Sequence, residues 1–398
     1  MSTSINRLPD DILTALKRCD ELCNIEQLDL FYNLYDPKTG GFYYSISSRD
    51  TEEMTPFAEG TSFVLEALGY GGIEIPDWEK KKVSEWILNH QDEADGFFYE
   101  DLWGKITSGP RLNRDLNYSV NILKKCDVSP KYPLPVERIK SKDTNSTIPA
   151  YLNSESAMLD YLNSLDFSAK GIWLTGQRLS TASTLIHGAG YGKIVKDYLL
   201  TKINPETGLF GDGLSWSNTN GSMKLSGFFD ADFPFPNVGR AIDSVIKIFE
   251  TCPPPSVSTH IWNPFVFLNR AIQSKGDDKE LARALLFNKG AEIISLAVDC
   301  ALKLKKPDGG FSSDPSKALK RQQGYLFGLG LPDESDLDGT LIAGSRLRNS
   351  IYSLFGVSAP GEYYKEYEND FWKKCKNKAP IIKKFPKPDE PLEPIKKA

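Results

Sequence analysis

The residues of this chain best suited to chemistry are carboxylates set in recurring short contexts. Asp336-Leu-Asp338-Gly-Thr340 and Glu59-Gly-Thr61 each place an acid just ahead of a glycine and a threonine, and Arg114-Asp115-Leu-Asn117 opens a similar stretch. Asp230-Ala-Asp232 adds another close pair. Paired carboxylates are what acid–base attack on a glycosidic bond requires, one giving a proton while the other takes one or attacks. The segments near these acids carry Tyr43, Tyr44, Phe98, Tyr99, Glu100, Asp101, Trp103, Asp212, Trp216 and Lys224. An aromatic face can cover a sugar ring while charged groups bond its hydroxyls. The candidate catalytic set is therefore Asp338, Asp336, Glu59, Asp115, Asp230 and Asp232, and the candidate ligand-binding set is Tyr44, Trp103, Arg114, Trp216 and Lys224. A plainer account stays open for each. Glu59, Asp115 and Asp338 suit helix N-caps, Asp230 and Asp232 a surface turn, Trp103 and Trp216 packing, and Lys224 a solvated side chain.

Composition narrows the partners. A net charge of −5 offers no basic face for phosphates, which argues against a nucleic-acid binder and removes any pull toward anionic lipids. No run approaches the ~18 uncharged apolar residues of a membrane span. The polar, acidic N-terminus has no apolar signal core, so a cytoplasmic protein is expected. The six cysteines are scattered, and His90, His187 and His260 are the whole histidine complement. Neither supplies the clustered ligands of a transition-metal site, so no metal and no cofactor are expected. The expected ligand is a small molecule or an oligosaccharide.

A short element recurs along the chain and must position these acids. Asp36-Pro-Lys-Thr-Gly-Gly-Phe42, Asp95-Gly-Phe97, Asn204-Pro-Glu-Thr-Gly-Leu-Phe210 and Lys306-Pro-Asp-Gly-Gly-Phe311 each join a turn to an aromatic anchor. Helical apolar spacing marks residues 9–34, 77–90, 154–164, 180–187, 191–202, 237–251, 262–274, 280–304 and 361–376. With the stretches after Glu59, Asp115 and Asp338 this makes about twelve helices, enough for a closed ring of about six hairpins. The fold expected is all-α, an (α/α)6 toroid, as a single domain over residues 1–376. The Pro- and Lys-rich tail 377–398 should be extended or loose.

The turn-and-helix unit resembles the repeat of the terpenoid cyclase and protein prenyltransferase superfamily, whose members are α/α toroids. Lys305-Lys-Pro-Asp308-Gly-Gly-Phe311 and Gln91-Asp-Glu-Ala-Asp95-Gly-Phe97 carry the likeness, which spans about residues 35–356. Asp336-Leu-Asp338-Gly339-Thr340 is similar to the D-x-D-D-T motif of class II cyclases, with Gly339 in place of the last Asp. The resemblance puts Asp338 at the position of the proton-donating acid. Asp299-Cys300 has no histidine after it, so the prenyltransferase zinc site is not implied.

Three functions follow as expectations. The first is a carbohydrate hydrolase or lyase acting through carboxylates. The second is a cyclase-like enzyme with Asp338 as general acid. The third is a non-catalytic toroid that binds a ligand. A cyclase cavity must be dry and apolar to protect a carbocation, whereas a sugar cavity should be polar and open. The charged and hydroxylated segments favour sugar.

Overall fold

A computed structural model describes residues 8–106, 108–141, 149–229, 235–274 and 279–392. Asp230 and Asp232 lie outside the described residues. In chain order the helices are α1 (Asp10–Arg18), α2 (Glu26–Leu34), α3 (Ile46–Asp50), α4 (Ala58–Tyr70), α5 (Asp77–Asn89), α6 (Pro110–Lys125) and α7 (Pro135–Ser141). They continue with α8 (Glu155–Asn163), α9 (Ile172–Gly188), α10 (Gly192–Leu200), α11 (Trp216–Ser226), α12 (Val238–Thr251) and α13 (Ser258–Gln273). The last are α14 (Lys279–Leu302), α15 (Leu337–Leu341), α16 (Leu347–Leu354) and α17 (Glu368–Lys376). Among the described residues the named strands are β1 (Arg321–Gln322) and β2 (Tyr325–Leu326), an antiparallel hairpin. The protein is therefore mainly helical, as its apolar spacing predicts. No helix among the described residues is long and apolar enough to cross a membrane.

Local signals explain several helices. Asp10 and Asp11 open α1 and Lys17 and Arg18 close it, matching the helix dipole. In α12 Val238, Ala241, Ile242, Val245, Ile248 and Phe249 form a buried face at helical spacing. Pro76 stops the preceding chain from being helical and gives way to α5, with Asp77 and Glu79 in its first turn. Periodicity misses α11 because Trp216-Ser-Asn-Thr-Asn-Gly-Ser-Met-Lys-Leu-Ser226 is almost wholly polar. It is helical because Ser215 caps it, its hydroxyl accepting from Asn218 N. The expected first helix, 9–34, breaks after Arg18 into a 3₁₀ turn, Cys19–Leu22, before α2 begins.

The chain divides into two compact units. The first comprises Met1–Leu22, Pro135–Cys300 and Leu347–Ala359, and the second Cys23–Leu134, Ala301–Arg346 and Pro360–Ala398. In the first, α11 packs on α9 and α13, and α13 also meets α12 and α16. In the second, α6 packs on α4 and α5, α15 on α4, and α17 on α2.

The recurring turns are real structural copies. Backbone bridges close them at Tyr35–Phe42, Gln91–Phe98, Ile203–Phe210 and Lys305–Phe311. Phe98, not Phe97, thus takes the register of Phe42 and Phe210. Spacing from the bridge, rather than adjacency to the Asp-Gly pair, sets the equivalence. Each turn is made possible by one left-handed glycine, at Gly40, Gly96, Gly208 and Gly309 with φ of 77, 77, 68 and 92°. In three copies a helix hydroxyl then receives the aromatic's backbone N–H. Phe42 N donates to Thr61 Oγ1 at 3.0 Å, Phe210 N to Ser222 Oγ at 2.9 Å, and Phe311 N to Thr340 Oγ1 at 3.1 Å.

The described part of the tail, residues 377–392, is extended, as its prolines require, but it is not loose. Lys378 donates to the carbonyls of Tyr32, Asn33 and Tyr35, and Phe385 pairs with Thr51 in parallel fashion.

Candidate functional site

The hydroxyl clamp fixes which residues are equivalent. Two residues before Thr61, Ser222 and Thr340 stand Glu59, Asn220 and Asp338. Glu59 and Asp338 are both in the second unit, where α4 and α15 pack together. Neither is a cap. Asp336 caps α15, its Oδ1 accepting from Gly339 N at 2.6 Å, and Asp338 is the second residue inside that helix. Glu59 is likewise second in α4, whose N-cap position holds Phe57 without a side-chain bond. Asp115 lies further in, on the buried side of α6. The three therefore owe their burial to something other than helix termination.

Two arginines on α6 organise the acids. Arg111 Nη1 lies 2.6 Å from Glu59 Oε2, and its Nε donates to Asp115 Oδ1 at 2.8 Å. Arg114 Nε donates to Glu59 Oε2 at 3.1 Å, and its Nη2 pairs with Glu59 Oε1. The spacing of Arg111, Arg114 and Asp115 puts all three on one side of the helix. Trp103 Nε1 donates to Asp115 Oδ2 at 3.1 Å. Both oxygens of Glu59 and both of Asp115 are thereby engaged. Asp336 is engaged too, accepting from Ser313 N and Oγ and from Leu319 N besides Gly339 N. Asp338 is different: among the described residues its hydrogen-bond contact is a long 3.5 Å approach from Gln322 Nε2 to Oδ2.

These partners set the charge states. Burial opposes ionisation of Glu59, but Arg111 and Arg114 outweigh it and hold its carboxyl below the usual range. Asp338 is pushed up to about 7, first by burial and then by the Glu59 charge. Asp115 is raised to about 6 by burial, against the pull of Arg111. Glu100 is raised well above the carboxylate range by burial and by Asp115, while its Oε1 accepts from Ala58 N at 2.7 Å. Two carboxyls at equivalent repeat positions, Glu59 and Asp338, thus have their proton affinities driven apart, which is the arrangement that separates an acid from a fixed negative charge.

Aromatic rings wall the cluster. Tyr44, Phe57, Trp103 and Phe327 are all buried, with ring centroids 4.7–5.7 Å apart in the pairs Tyr44–Phe57, Tyr44–Phe327, Phe57–Trp103, Phe57–Phe327 and Trp103–Phe327. The Tyr44 hydroxyl is buried with no hydrogen-bond partner among the described residues, and burial first, then the charges of Asp336, Asp338 and Glu59, keep it protonated. Arg111 lies 5.4 Å over both Trp103 and Phe327.

Of the expected residues, the second unit gathers Asp338, Asp336, Glu59, Asp115, Tyr44, Trp103 and Arg114. Trp216 and Lys224 belong to the first unit. Trp216 Nε1 donates to Pro253 O at 2.9 Å and its ring meets Phe249, and Lys224 lies 4.8 Å over the Trp173 ring. Sequence reasoning passes over Arg111, Phe57, Phe327, Gln322 and Gln323. Arg111 had a signal, its place four residues ahead of Asp115 on one helix face. Phe327 and the two glutamines sit in an aperiodic stretch that only tertiary contact gives a role. No protein-family model matches this chain, and no curated protein matches it.

Proposed function

We propose that this protein is an enzyme using Asp338 as a general acid or base on a carbohydrate, within helices that close as an (α/α)6 toroid. The observation that carries the reading is the contrast between Asp338 and its neighbours. Glu59, Asp115 and Asp336 have their oxygens engaged by arginine, indole, hydroxyl or backbone donors, whereas Asp338, among the described residues, has one long hydrogen-bond contact, and its charge acts on the buried Tyr44 hydroxyl. A two-carboxylate hydrolase needs a second free carboxylate about 5–9.5 Å away. With Glu59 tied to two arginines, elimination by Asp338 with Tyr44 as its proton partner fits better than hydrolysis. Trp103 and Tyr44 supply aromatic faces, and Arg114, held by Glu59, adds positive charge to the cluster. The toroid is supported by the four equivalent turns and the three equivalent clamps. A cytoplasmic location is proposed with it.

One observation favours a second reading, proton-initiated cyclisation of an apolar polyene. The wall of Tyr44, Phe57, Trp103 and Phe327 is buried, and its aromatic faces are of the kind that shelters a cation. The two readings part on substrate. Uronate-containing and neutral oligosaccharides should be screened for unsaturated products by ultraviolet absorbance and for new reducing ends, with linear polyprenyl substrates in parallel. Elimination products that vanish in Asp338→Asn support the first reading. Cyclic hydrocarbon products support the second. Turnover that survives Asp338→Asn sinks both.

A further inference from the structure

The β1–β2 hairpin reaches the acid cluster at several points. Gln322 approaches Asp338, and Gln323 Oε1 accepts from Arg111 Nη1 at 3.3 Å. Just beyond the turn, Tyr325 lies 5.3 Å from the Trp103 ring and Phe327 stacks on the same ring at 5.6 Å. The two carboxamides thus occupy groups that a ligand's hydroxyl or carboxylate would use. Glu59, Arg111, Asp115 and Trp103 are 0, 1, 1 and 4% exposed. A ligand touches them only after a neighbouring element has moved.

Two strands of two residues are too short to hold themselves in place. The C-terminal segment holds them. Glu390 accepts from Arg321 Nη2 at 2.9 Å and pairs with Lys320 Nζ at 2.5 Å, Arg321 also donates to Pro391 O at 2.6 Å, and Leu326 N donates to Leu392 O at 3.0 Å. Upstream, the same segment is fastened beside α3. Phe385 N donates to Asp50 O at 2.9 Å, Glu52 N to Phe385 O at 3.0 Å, and Lys384 Nζ to Asp50 Oδ2 at 2.7 Å. The fastening to α3 combines backbone pairing with the Lys384–Asp50 ion pair. The grip on the hairpin combines one backbone bond and the Arg321–Pro391 contact with partly exposed ion pairs from Glu390, and those ion pairs are its weak and breakable part.

We propose that the β1–β2 hairpin is a movable cover over the acid cluster and that the segment 385–392 is the latch that keeps it shut. Closed, the cover places Gln322 and Gln323 where ligand groups belong, so the resting site is self-blocked. Release of the Glu390 pairs frees the hairpin to swing out with Phe327 and uncover Trp103, Arg111 and Asp338. The arrangement gates the cluster whether it catalyses or only binds, so it does not rest on the chemistry assigned to Asp338.

The test needs no substrate. The full chain is labelled with 5-fluorotryptophan, and the Trp103 resonance is assigned with Trp103→Phe. Glu390→Arg, and a chain ending after Lys387, should each shift the Trp103 signal and speed exchange of its indole N–H by about tenfold, while the Trp216 signal and the helical circular dichroism stay unchanged. Arg321→Glu combined with Glu390→Arg should restore the pair and the wild-type signal. A Trp103 signal and exchange rate unchanged in both variants overturns the proposal. So does opening that the charge swap fails to reverse, since Glu390 then does not act through Arg321. If the shortened chain does not fold, the charge-swap series alone decides.

Discussion

The same turn and clamp recur in both units, but the residue they present differs. In the second unit the clamped hydroxyls Thr61 and Thr340 follow Glu59 and Asp338, and in the first Ser222 follows Asn220. Asn220 is fully buried and neither of its amide atoms has a partner among the described residues, and Asn263 on the neighbouring α13 shares that condition. A carboxamide cannot give up or accept a proton at ordinary pH. The scaffold is therefore common, and what each copy can do depends on one side chain two residues upstream of a structural hydroxyl. The comparison sharpens within the second unit, where the same position yields an ionised Glu59 beside two arginines and an Asp338 raised to about 7.

The largest effect tests Asp338 itself. Asp338→Asn should retain helical circular dichroism and lose ~10²–10⁴-fold in turnover on the substrate found by screening. Retention of turnover would place Asp338 with Asn220 as a merely structural residue. Acting as the base of an elimination, it should make wild-type activity rise as pH climbs through about 7, whereas acting as an acid it should make activity fade over the same interval.

Next in size is Glu59→Gln. Removing the charge leaves Arg111 and Arg114 buried with one carboxylate fewer, and breaking such a pair costs about 3–5 kcal/mol. Urea unfolding should show the loss. A variant as stable as wild type would mean the arginines are solvated and the contrast with Asn220 is not electrostatic.

A pH series on stability comes third. A carboxyl whose folded value lies above its unfolded one binds its proton more tightly when folded. Its contribution is present below the unfolded value near 4 and is lost as pH rises through about 7. Wild-type stability should fall over that interval, and Asp338→Asn should show a shallower fall. Parallel curves for the two would remove the raised affinity assigned to Asp338.

Smaller still is Asn220→Leu, a change of similar volume that removes an unsatisfied amide. It should leave stability unchanged or raise it by about 1 kcal/mol, because the buried amide forgoes its hydrogen bonds. A marked loss in thermal unfolding would show that Asn220 holds something in place. The clamps should show a change of like size in the opposite direction. Thr61→Val, Ser222→Ala and Thr340→Val should each cost about 1 kcal/mol, alike in the three copies. Unequal costs would break the equivalence on which the comparison stands.

Much of the fold was legible in the sequence because helices and turns are local. Apolar spacing marks α5, α8, α12 and α14, and a glycine in the left-handed region is legible wherever Gly40 and Gly208 follow their Asp or Asn by four residues. The acid-Gly-Thr settings of Glu59 and Asp338 were visible for the same reason. Roles were less visible. Asp336 and Asp338 differ by two positions, and which one caps the helix and which one stays available depends on the donors of Ser313, Leu319 and Gly339. Nothing in the string Arg111–Asp115 says that Glu59, more than fifty residues earlier, supplies the charge they need. Phe327, Gln322 and the latch at Glu390 obey no period at all. The sequence by itself determined most of the elements, because backbone geometry and helical burial repeat at fixed intervals along the chain, whereas polar α11 keeps no such interval. The tertiary structure alone decided which carboxylate is held charged and which keeps its proton, because burial and the distance to an arginine are properties of space.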